Sequence, residues 1–189
     1  MAWWKRGRKT GEVVTADWMG IKLADLFDPR DAIGLVRQWS DVAPSDPKPF
    51  IALASLSAFG FYVGVTQKSI RHRIDEQVMQ KIQRAFFDQM LNRFTEAGEL
   101  DRDPQSLELE IADLYGAIKD AFYSKLREDE GKVHPVWFAG KAVDGYLNGT
   151  PDALNPEEIA FLSQYLHRVI LQTKELFDEL LASKVAFVE

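Results

Sequence analysis

The stretch PFIALASLSAFGFYVGVTQ, residues 49–67, carries no formal charge, and a basic cluster of Lys68, Arg71, His72 and Arg73 follows it directly. Roughly nineteen residues at a helical rise of about 1.5 Å are long enough to cross a hydrocarbon core of about 30 Å. The chain therefore either crosses a bilayer here or folds the stretch inside itself, and that choice constrains everything else. Gly60/Gly64 and Ala54/Ala58 have the four-residue spacing that lets helices approach closely in lipid. Against a span, Pro49 opens the stretch, and Ser55, Ser57, Tyr62, Thr66 and Gln67 dilute it. The charge pattern also argues against one. The basic cluster would favour a cytoplasmic C-terminal end, forcing a second basic cluster near the N-terminus across the membrane. Small residues mixed with Phe and Leu pack equally well at the centre of a helical bundle. The expectation is a buried core helix over residues 50–66.

Composition agrees with a chain that builds a core. At 189 residues, 46% apolar and 28% charged, the simplest organisation is one globular domain that buries about two-thirds of its unfolded surface. The reading divides it into a basic, Trp-containing tail over 1–14 and a helical domain over 15–189. A net charge of −6 speaks against a general nucleic-acid binder, because phosphate neutralisation needs a basic surface; no nucleic-acid partner is expected, despite the KSIRHR run at 68–73. The absence of cysteine removes disulfides, thiolate nucleophiles and Cys-ligated metal. The start, MAWWKRGRKTGE, has no apolar run behind its basic residues and does not read as a secretory signal. A cytoplasmic location is expected, peripheral to a membrane if the tail engages one.

Helix punctuation recurs along the chain. TADWMGIKLADLF reads as a short helix led by Thr15 or Asp17, with Ile21, Leu23 and Leu26 buried. DPRDAIGLVRQW opens with Asp28 as cap and Pro29 at the first position, and places Ile33, Val36 and Trp39 on one face. Three prolines make APSDPKP a connector. From Ile70 the residues Ile74, Val78, Ile82, Phe86, Met90 and Phe94 step by four, and no Gly or Pro interrupts 68–97, which predicts one long helix stopped by Gly98. Asp103-Pro104 starts another helix, with Leu107, Ile111, Leu114, Ile118 and Ala121 inward and Tyr115, Phe122 and Leu126 alongside. A short one runs from Pro135 to about Leu147, closed by Asn148-Gly149. In the last, Asn155 caps and Pro156 leads, with Glu157 and Glu158 facing the positive helix end. There Ile159, Leu162, Leu166, Val169, Thr173, Leu176 and Leu180 form one seam, while Phe161, Tyr165, Ile170, Phe177 and Leu181 cover a second face. A helix apolar on two faces needs neighbours on both. The predicted fold is all-α: a single-domain bundle of about six or seven helices.

Catalytic patterns are missing. His72, His134 and His167 lack Glu-x-x-His or His-Glu-x-x-His spacing, and read as satisfied or exposed side chains. Asp25, Asp28 and Asp31 read as caps and turn residues. Glu110 and Asp113 share a helix face and would hold Mg²⁺ only if a facing helix supplied a second pair. No glycine-rich phosphate loop and no Gly-x-Ser-x-Gly is present. No catalytic, cofactor-binding or metal residue is assigned, and no cofactor is expected. Function then falls to a non-enzymatic helical interaction, adaptor or regulatory protein acting through protein–protein contacts or self-association. Two alternatives stand beside it. One is a membrane-associated protein using the 50–66 helix or the tail residues Trp3, Trp4, Lys5, Arg6, Arg8 and Lys9, where each cation near an anionic surface is worth about 1 kcal/mol. The other is a metal-dependent enzyme built on the Glu110 and Asp113 carboxylates.

Overall fold

The computed structural model of the chain describes residues 13–26, 30–39, 46–72, 75–96, 103–128, 134–149, 154–182 and 186–188. The order is β1 (Val13–Thr15), α1 (Ala16–Leu26), α2 (Arg30–Trp39), α3 (Lys48–His72), α4 (Glu76–Glu96), α5 (Pro104–Glu128), α6 (Pro135–Asn148), α7 (Pro156–Ala182) and β2 (Ala186–Val188). Seven helices among the described residues make the fold all-α, as the patterning predicts.

Helix α3 is the axis. It packs against α2, α4, α5, α6 and α7, and its interior-facing residues include Phe50, Ile51, Leu53, Leu56, Phe59, Phe61 and Val65. The segment Lys48–Gln67 is long and apolar enough to cross a membrane by length and composition, yet 89% of that apolar window is buried inside the protein. Each fully buried Leu, Ile or Phe contributes roughly 1.5–3 kcal/mol, so this stretch anchors the core. Its serines are accommodated by hydrogen bonds: Ser55 Oγ donates to the Ile51 carbonyl at 2.7 Å and reaches the Ile111 carbonyl of α5 at 3.2 Å, and Ser57 Oγ pairs with the Tyr165 hydroxyl of α7 at 2.8 Å.

The glycines of α3 fix how close α7 lies. A Cβ on Gly60 would stand 2.7 Å from Val169 Cγ1, and one on Gly64 would stand 2.7 Å from Thr173 Cβ. The missing methyls let the two longest seams of the sequence meet backbone to side chain, the same geometry that small residues permit in lipid. Across α3, the Phe59 ring meets Tyr115, Phe122 and Tyr123 edge-on at 5.8, 5.2 and 6.3 Å.

Caps fall largely where the sequence places them. Thr15 Oγ1 accepts from the Trp18 N–H at 3.2 Å, Asp103 Oδ2 from Ser106 at 3.1 Å, and Asn155 Oδ1 from Glu157 and Glu158 at 3.2 and 3.3 Å. Gly149 closes α6 at φ 68°. Asp28, Pro29 and Gly98 lie outside the described residues, as do the side chains of Leu26, Trp39, Phe94, Leu126, Leu180 and Leu181.

Two expectations are corrected, and one short strand pair is added to the all-α fold. The continuous helix over 68–97 is two helices: α3 ends at His72, and Asp75 caps α4, its Oδ1 accepting from Gln77 at 2.7 Å. An aspartate side chain that bonds nearby backbone N–H groups competes with continuation of the helix and opens a new one instead. Ile21, expected inside, is 38% exposed, while Met19, Leu23 and Ala24 face α4 and the core. Finally, β1 pairs in parallel with β2, Val13 opposite Ala186 and Thr15 opposite Val188. Strands of three residues leave no period to read, and the partner lies at the other end of the sequence.

Candidate functional site

Of the residues named from sequence, those described do not converge. Trp3, Trp4, Lys5, Arg6, Arg8 and Lys9 lie outside the described residues, and so do the side chains of the KSIRHR run. Glu110 is half-buried and Asp113 exposed on α5; among the described residues no group of three or more His, Cys, Asp or Glu side chains stands ready to hold a metal. Asp25 is engaged by Lys22 at 3.0 Å.

The structure instead brings together two carboxyls from different helices. Asp144, on the last turn of α6, and Glu158, on the first turn of α7, are both fully buried. Asn148 Nδ2 donates to Asp144 Oδ1 and to Glu158 Oε2, each at 3.1 Å, and the Asn155 N–H reaches Asp144 Oδ1 at 3.4 Å. The second oxygens, Asp144 Oδ2 and Glu158 Oε1, are buried without a hydrogen-bond partner among the described residues. Burial is the main cause that pushes the Glu158 carboxyl up to about 7; the Asn148 bond pulls it down, and the Asp144 carboxylate raises it again. Asp144 is raised too, by burial first, against the bonds from Asn155, Glu158 and Asn148. Two carboxyls side by side, with no cation between them among the described residues, cannot both ionise at low cost, which favours a shared proton. Sealed from solvent, the pair ties the end of α6 to the start of α7. Glu158 lies in the first turn of α7, as expected, but its carboxyl is buried beside Asp144. The readable signal was Asp144 itself, spaced four residues after Gly140 and one after Val143 on the buried face of α6.

The surface offers a different feature. Helix α6 begins beside the middle of α7, which runs on past it, and the step leaves a groove of about 510 Å³. His134 heads α6, its Nδ1 accepting from the Val136 N–H at 3.4 Å, which turns Nε2 away from the helix. Its ring stands perpendicular to that of His167, centroids 5.9 Å apart. Arg168, Gln172 and Glu175 continue the rim along α7, and Leu171, 42% exposed, lies in the groove with buried Val136. Both histidines are exposed, as expected. The arrangement is an apolar centre with a mixed polar rim, without a nucleophile–base pair. No family model, curated protein or solved structure matches this chain.

Proposed function

We propose that the chain is a non-enzymatic helical interaction protein, an adaptor or regulatory subunit, that engages a protein partner through the α6–α7 groove. The observation that supports this is Leu171: a leucine 42% exposed inside a concavity, ringed by His, Arg, Gln and Glu side chains. Protein interfaces combine an apolar centre with such a rim, and arginine is enriched in them. A photo-crosslinking amino acid at position 171, followed by mass spectrometry of the adduct from the native host, tests the reading. A polypeptide adduct at 171, heterologous or a second copy, that disappears in excess unlabelled protein but persists with unlabelled Leu171→Glu supports it. The absence of any saturable adduct, or competition by Leu171→Glu as strong as by the unaltered protein, sinks it.

A further inference from the structure

Helix α4 packs on α1 and α3, and α5 packs on α3 and α6. Between α4 and α5, over the outer side of α3, a cleft of about 310 Å³ remains, remote from the groove just described. Its walls are rings. Phe61 and Phe86, both fully buried, stack at 4.9 Å with 18° between their planes, and Phe87 extends that wall to the surface. Opposite stand Tyr62 and Tyr115, edge to face at 6.4 Å. The Tyr115 ring is braced from behind by Phe59 at 5.8 Å, so the cleft is formed before anything enters it. Ala58 lies at its base, and exposed Ala112 forms part of its mouth.

Three residues that carry polar groups line these walls, Tyr62, Tyr115 and Gln83, and none of their side chains makes a hydrogen bond among the described residues. Burial drives the Tyr115 phenol well above its ordinary range, so it stays neutral and both donates and accepts. An apolar cavity with a few convergent polar groups is the usual form of a small-molecule site, and this volume sits at the small end of the range, about 300–1,000 Å³.

We propose that the cleft binds a small one- or two-ring aromatic molecule carrying a single hydroxyl or ring N–H group. The partly exposed rings of Phe87, Tyr62 and Tyr115 supply face and edge contacts that favour a planar aromatic guest over a saturated one of equal size. Tyr115 or Gln83 takes the guest's one polar atom. The site is independent of the partner groove.

The test uses 2-naphthol, naphthalene and 2-decalol as probes on the full chain, followed by calorimetry and by amide and side-chain NMR shifts. The expected result is saturable one-to-one binding of 2-naphthol, with shifts at the Gln83 side-chain amide. Naphthalene should bind about 2–10-fold more weakly, the loss of one hydrogen bond, and 2-decalol more weakly still. Ala112→Phe, at an exposed position, should block the mouth and abolish binding with an unchanged melting temperature. Tyr115→Phe combined with Gln83→Leu should make naphthalene and 2-naphthol bind alike. Absence of saturable binding overturns the proposal, as does binding indifferent to Ala112→Phe, or 2-decalol binding as tightly as 2-naphthol.

Discussion

Replacing Glu158 with Gln isolates the cost of burying the carboxyl pair. The folded protein holds the Glu158 carboxyl at about 7, against 4.5 for the free side chain, so the native state keeps a proton that the unfolded chain releases. The stability this group contributes is fully present below about pH 4.5 and is lost as pH rises through about 7. At about 1.4 kcal/mol per pH unit, the interval from 4.5 to about 7 corresponds to about 3.5 kcal/mol, which residual screening lowers to about 3 kcal/mol. Glutamine keeps the shape, accepts from Asn148 and donates to Asp144, but never ionises. Urea unfolding followed by circular dichroism at pH 4.5, 6, 7 and 8 gives the difference between variant and unaltered protein, in which the carboxylates other than Asp144 cancel. The difference should be small at pH 4.5 and should grow in the variant's favour to as much as about 3 kcal/mol at pH 8. For a chain of this size that is roughly 6–12 °C in melting temperature. A difference that stays flat with pH, or a variant less stable than the original at pH 8, would refute the shared-proton reasoning.

Two helical glycines should respond to alanine with opposite signs. A Cβ on Gly20 would stand 2.5 Å from the Ile82 carbonyl oxygen and 2.6 Å from Phe86 N, so Gly20→Ala must push α1 off α4 and should cost about 1–3 kcal/mol. Gly116 has nothing within 4 Å of that position, and Gly116→Ala should gain up to about 1 kcal/mol from helix propensity alone; melting curves of the two variants decide, and matching signs would contradict the packing described. Because the 48–67 segment is spent inside the core, the protein should stay in the supernatant of a detergent-free lysate after ultracentrifugation. Recovery only with detergent would overturn the assignment of that helix to the interior.

Much of the fold was legible because the helices carry their own punctuation. Asp103-Pro104, Asn155-Pro156 and Asn148-Gly149 mark ends that local chemistry fixes, and the seam from Ile159 to Leu176 marks a helix with neighbours on two sides. Asp75 was harder to read: it lies within a sequence whose four-residue spacing continues through it, and only the change of partner from α7 to α1 explains the break. The Asp144–Glu158 clasp was invisible for a related reason. Each acid has an ordinary local explanation, as a polar residue near a helix end, and their meeting depends on the angle at which α6 returns along α7. The aromatic cleft shares that origin: from sequence Tyr115 only flanks the inward face of its helix and Tyr62 only dilutes an apolar stretch, and the gap between α4 and α5 is written in neither. Side chains that act with their own helix can be read from sequence; those that act across a turn in three dimensions need the turn.

The two short strands have a mechanical consequence. Because β1 and β2 run parallel, tension applied at the amino end of one and the carboxyl end of the other pulls them along their length. The ladder bonds then share the load together, as in a lap joint, where an antiparallel hairpin tugged open at its free ends would yield one rung at a time. Tension applied across Val13 and Val188 would therefore meet this strand pair before it reached the helices between them.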